Sequence, residues 1–203
     1  RVAPNLQRQQ IDSRQYAISA RGFNGYETSN KLLALIDGRS IYTTLFSGIF
    51  WELHNPVLED LQQIEVISGP GGKLYGPNAV NGVISITSKD AFATQGGLAS
   101  ATLAANDRTA ALRYGGAIGG NGAFRVYGNY FDRDGLPDGA GPDIDDGHQG
   151  FQAGFRSDFG GADNRLTLQG DVFDTETKSF SGDGEKGHNL LARYTSGLGN
   201  GSS

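Results

Sequence analysis

The sequence predicts a mixed α+β domain followed by the first strands of a transmembrane antiparallel β-barrel, with the change of grammar near residue 90. Three observations predict it. Residues 32–89 carry short apolar runs cut by Asp-Gly, Gly-Pro-Gly-Gly and Asn-Gly turns. From residue 95 onward, segments of about ten residues alternate apolar and polar side chains, the pattern of a wall between lipid and a polar lumen. Short and long connections alternate between those segments, as they do in barrels with short turns on one side of the membrane and long loops on the other.

Composition narrows the classes. The 203 residues include 32 glycines and no cysteine, so disulfides, thiolate metal sites and cysteine nucleophiles are excluded. A net charge of −5 without a basic cluster argues against a nucleic-acid partner. No run approaches the ~20 apolar residues of a membrane helix, which leaves β-strands as the way across a bilayer. The chain starts at Arg1 with no initiator methionine or signal peptide, and reads as a piece of a longer protein.

Taken in order, residues 1–16 form a polar lead-in, residues 18–23 a strand and turn, and residues 24–30 a polar loop. Residues 32–36 (LLALI) form a strand that ends at Asp37-Gly38, where a tight reversal needs positive φ. The loop YTTLFSGIFW, residues 42–51, gathers Tyr42, Phe46, Phe50 and Trp51 around Gly48. Phe50 and Trp51 also fit an aromatic mini-core beneath that loop. A short helix is expected from Asn55, a capping residue, through Pro56 at its first position, with Glu59 and Asp60 in its first turn. Strands follow at residues 64–67 and 83–87.

The second half reads as six strands, the first over residues 95–106, with Asp107-Arg108 as a very short loop. Ala110, Leu112, Tyr114 and Ile118 share a face opposite Arg113. Phe124, Val126 and Tyr130 oppose Arg125, Tyr127 and Asn129. Phe151, Ala153 and Phe155 oppose Gln152, Arg156 and Asp158, while Leu166, Leu168 and Val172 oppose Thr167, Gln169 and Asp171. In the last segment Leu190, Ala192 and Tyr194 oppose Asn189 and Arg193, with Leu191 out of pattern. Residues 119–122, 159–164 and 198–201 are short turns; residues 132–147 and 174–187 are long loops, the first with six aspartates against Arg133. That loop lacks the spacing of a calcium-binding loop. A soluble β-sandwich ligand-binding module has the same period with its apolar face inward, so alternation alone leaves that alternative open.

Five stretches in order carry a resemblance: ISARGF (18–23), LALIDGRS (33–40), LEDLQQIEVI (58–67), GPGG (69–72) and NAVNGVISI (78–86). Together they resemble the plug domain of TonB-dependent receptors of the Gram-negative outer membrane. The resemblance implies a mixed α+β plug domain over residues 1–90 and the first six or so strands of a transmembrane antiparallel β-barrel over residues 91–203. It implies uptake of a scarce ligand such as a ferric siderophore or other iron chelate, with the TonB energising complex and outer-membrane lipid as partners, no cofactor and no enzymatic step. The apical loops would be residues 24–30, 42–48 and 73–78, with Asn24, Tyr26, Tyr42, Thr43, Phe46 and Tyr75 offered to ligand. Arg21 would latch plug to barrel carboxylates. Ser68 stands where the family usually has an arginine, which counts against a second latch arginine. Six strands cannot close around such a plug, since plugged transporters have about 22; alone, this chain is expected neither to insert nor to transport.

Other chemistries fail on their own residues. Before Gly72-Lys73 a phosphate-binding loop would need glycine at Ile67, and after it Ser or Thr at Leu74. His54, His148 and His188 have no metal partner at i+3 or i+4, and Ser47-Gly48 lacks the leading residues of a nucleophile elbow.

Overall fold

The computed structural model describes residues 6–10, 12–13, 16–20, 32–43, 48–76, 78–135, 146–161, 163–178 and 184–197. The chain divides into two compact units: Arg1–Ser88 with Asp134–His148 and Lys178–Phe180, and Lys89–Arg133 with Gln149–Thr177 and Ser181–Ser203.

In the first unit, β1 (Leu6–Gln10) and β2 (Tyr16–Ala20) form an antiparallel hairpin. A four-stranded sheet follows, built from β3 (Leu32–Ile36), β4 (Arg39–Ser40), β5 (Leu61–Ser68) and β6 (Gly82–Ser88) in the order β4-β3-β6-β5. β3 runs parallel to β6, and the other two pairs are antiparallel. Being central, β3 is apolar on both faces, as an interior strand should be. Leu32 and Ala34 pack with Ile41 and Ile84, and Trp51 joins that cluster; Leu33 packs with Ala79 and Val83 on the other side. Asp37 (φ 50°) and Gly38 (φ 79°) make the turn into β4 with both residues in the left-handed region. The glycine run after β5 folds into the single described α-helix, α1 (Gly72–Tyr75).

The second unit is a six-stranded sheet in chain order: β7 (Gly96–Leu103), β8 (Asp107–Ile118), β9 (Gly122–Arg133), β10 (His148–Gly160), β11 (Asn164–Thr177) and β12 (Gly184–Ser196). It is open, with β7 and β12 at its edges. The alternation read from the sequence is visible as exposure. Leu112 (66% exposed), Tyr114, Val126, Phe151, Phe155, Val172 and Leu190 (74%) are bare, while Arg125, Gln152, Asp158 and Thr167 are buried. Tyr114 and Phe124 pair on the apolar face, ring centroids 6.2 Å apart.

Several expectations need correcting. Residues 55–61 form no α-helix; Leu58–Asp60 is one 3-10 turn, preceded by extended Val57. The Asn55 side chain donates to the Glu52 carbonyl (2.6 Å) instead of capping, and Leu61 is already paired with Ser88 as the start of β5. The polar lead-in contains β1, whose partner strand lies beyond the next turn. Asp107 and Arg108 belong to β8, where they oppose Arg133 and Asp132 and form ion pairs of 3.4 and 3.5 Å with them. The turn lies one step earlier, closed by the Ala104 amide on the Asp107 carbonyl. Of the loop expected over residues 174–187, the described residues are mostly strand, because Asp174 faces Lys186 across β11–β12 and the two ion-pair at 2.8 Å. In the last two cases a charged residue that looked like loop has its opposite charge on the neighbouring strand.

Candidate functional site

The register of the first unit places one end of its sheet. Leu32 begins β3 opposite Gly82, which begins β6, and Gly82 also faces Ser68, the last residue of β5. Residues 69–81 therefore leave from and return to this end, and α1 lies within them. They are closed by the Gly69 amide on the Asn81 carbonyl (3.1 Å) and the Gly71 amide on the Ala79 carbonyl (2.7 Å). After the β3–β4 turn the chain runs back beside β3, and the Tyr42 hydroxyl donates to the Leu32 carbonyl (2.6 Å). There the Thr43 amide donates to the Gly48 carbonyl (2.8 Å), across residues 44–47.

Three of the residues singled out from sequence thus have positions. Tyr42 packs on the Leu33–Ala79–Val83 cluster, and burial pushes its phenol up to about 12. Its hydroxyl stays protonated and engaged with backbone, so what it can offer a ligand is ring surface. Thr43 stands at the neck. Tyr75 is exposed on α1, next to Leu74, which is 85% exposed. Asn24, Tyr26, Phe46 and Arg21, the residue expected to latch plug to barrel, lie outside the described residues.

A second constellation was not assembled by sequence reasoning. In the second unit, residues 89–95 lie against the polar face of the sheet. Asp158, fully buried, accepts hydrogen bonds from the Ala91 amide (2.8 Å), the Thr167 hydroxyl (2.6 Å) and the Arg156 guanidinium (2.7 and 3.2 Å). Arg125 donates to the Lys89 carbonyl (2.5 Å), Arg113 to the Thr94 carbonyl, and Arg165 pairs with Asp90 (3.2 Å) while stacking over Phe92. The signal for this was present. Alternation places Arg113, Arg125, Arg156 and Asp158 on the polar face but says nothing of what that face holds.

Comparison with known proteins agrees with this architecture. Residues 1–83 match the TonB-dependent Receptor Plug Domain family. The vitamin B12 transporter BtuB of Vibrio vulnificus (strain CMCP6) is 29% identical over 198 residues, 96% of this chain and 29% of that protein. The ferrioxamine receptor of Yersinia enterocolitica is 31% identical over 121 residues, 57% of this chain and 16% of the receptor. Among solved structures, the copper transporter OprC superposes with a TM-score of 0.76 at 20% identity, covering 94% of this chain and 30% of OprC. This chain therefore spans under a third of the length of these proteins, and at that identity the likeness to OprC concerns the fold alone. The first 83 residues thus match the plug domain of TonB-dependent receptors, and almost the whole chain is similar in sequence to the N-terminal third or so of such a transporter.

Proposed function

We propose that the protein is an outer-membrane receptor that takes up a scarce small ligand, such as a ferric siderophore, with energy delivered through TonB. Residues 1–90 act as the plug and residues 91–203 as the first strands of the surrounding wall. Ligand is received at the plug end formed by Tyr42, Thr43 and Tyr75 together with Asn24, Tyr26 and Phe46, and Arg21 latches plug to wall. No reaction is catalysed; the work is gating.

The observation that carries this reading is the inverted centre of the second unit's sheet, with Leu112, Val126 and Leu190 bare and Arg125, Gln152, Asp158 and Thr167 covered. A water-soluble sandwich would bury Leu112, Val126 and Leu190, and leaving them in water forfeits about 1.5–3 kcal/mol per large side chain. Lipid removes that cost. Strand length supports the same placement: twelve residues at about 3.3 Å rise, tilted as barrel strands are, cross roughly 28 Å, close to a hydrocarbon core of about 30 Å. The relatives' names, a vitamin B12 transporter and a ferrioxamine receptor, span two ligand classes, and an iron chelate is the one we favour.

Growth decides it. A strain deleted for the gene and supplied with single ferric siderophores as sole iron source should fail on one of them. The intact gene should restore growth only in cells with functional TonB. Rescue that persists without TonB, or a full-length product freely soluble in buffer, would overturn the reading.

A further inference from the structure

The chain changes partners across a single peptide bond. Ser88, the last residue of β6, gives its amide and hydroxyl to the two oxygens of Asp37 (2.8 and 2.7 Å) in the β3–β4 turn of the first unit. Lys89, the next residue, gives its carbonyl to Arg125 of β9 in the second. From there to Thr94 the segment is held by residues from four successive strands: Arg113 of β8, Arg125 of β9, Asp158 of β10 and Arg165 of β11. Three of those four contacts go to backbone atoms.

The segment is also braced internally. Asp90 accepts from the Ala93 amide (2.9 Å), Thr94 donates to the Asp90 carbonyl (3.1 Å), and Gln95 donates to the Ala91 carbonyl (2.6 Å). β8 leaves room for it: a Cβ on Gly115 would sit 2.1 Å from the Thr94 carbonyl oxygen. Asp158 makes departure costly, since a buried carboxylate that loses a donor is left partly unsolvated.

We propose that residues 89–95 are an anchor that keeps its place on β8–β11 while the residues before it move, with the pivot at the Ser88–Lys89 bond. Asp158 and Arg125 are its positioning residues. The proposal rests on the plug reading only for the identity of the moving part. In that reading, any displacement or unfolding of the plug ends at Ser88, and the chain beyond stays folded on the wall.

Hydrogen exchange of the full receptor in lipid nanodiscs, read by peptide mass spectrometry at rising sub-denaturing urea, tests this. Peptides covering residues 89–95 should open together with β8–β11, at higher urea than β3 and β6. Asp158→Asn replaces a charge-assisted bond to the Ala91 amide with a neutral one and takes the ion pair from Arg156, so it should speed exchange in residues 90–94 roughly tenfold, with a smaller rise in β10 and β11 and none in β8. Ala91→Pro removes the same donor and leaves every wall side chain in place; Ala91 has φ −68°, which proline accepts, so this variant decides if Asp158→Asn fails to accumulate. Residues 89–95 opening together with β6 in the wild type would overturn the anchor, as would exchange there that neither substitution changes. These rates do not depend on which ligand is carried or on TonB, so failure of the uptake reading and failure of the anchor are told apart.

Discussion

Tyr42 has two jobs that one substitution separates. Its hydroxyl satisfies the Leu32 carbonyl, and its ring packs beside Leu33, Ala79 and Val83 at the end of the sheet we assign to ligand. Tyr42→Phe keeps the ring and loses the bond, so the plug should lose about 1 kcal/mol of stability with ligand affinity nearly unchanged. A large loss of affinity at unchanged stability, in a titration of the purified receptor, would mean that the hydroxyl itself meets ligand. His54 offers a pH test. Burial, helped by the charge of Arg39, pushes its imidazole down to about 4 from the ordinary 6.5. The folded state then binds fewer protons than the unfolded one between those values. Stability is full above pH 6.5 and falls as pH drops toward 4, by up to ~3 kcal/mol. His54→Gln should flatten that slope for the β3–β4 amides in a urea series; an unchanged slope would assign it to other groups.

At the scale of elements, the β3–β4 turn joins local geometry to the exit of β6. Asp37 holds a left-handed φ that glycine would adopt freely, yet its carboxylate is what secures Ser88. Asp37→Ala should lose both the bonds and the easy φ, costing about 2–4 kcal/mol, whereas Asp37→Gly should recover about 1 kcal/mol of that. Equal losses in thermal unfolding of the two variants would show that the φ contributes nothing. The turn was legible in sequence because Asp-Gly after LLALI is a local signal. So were β3, whose bounds match the expectation, and the apolar faces of β8–β11, whose period survives any tertiary context. What local reading could not supply was long-range pairing. Glu59 and Asp60 look like a helix start until Leu61 pairs with Ser88, and Asp107 and Asp174 look like loop until Arg133 and Lys186 face them. The junction was illegible for the same reason. Three of its four contacts are made to the backbone of residues 89, 91 and 94, and backbone donors and acceptors leave no trace in residue type.

For the molecule as a whole, everything turns on which side of the second unit's sheet meets lipid. These 203 residues hold no cysteine, so labels enter here only at introduced cysteines once any in the rest of the receptor are replaced by serine. Nitroxide labels on the full receptor in lipid vesicles, at Leu112, Val126, Val172 and Leu190 and separately at Gln152 and Thr167, measure this through collision with oxygen, which concentrates in lipid, and with a water-soluble nickel chelate. Oxygen-dominated relaxation is expected at the first four positions and little access for either agent at the last two. Labels at Leu112 and Val126 that meet the nickel chelate freely, or that are shielded from both agents, would contradict it.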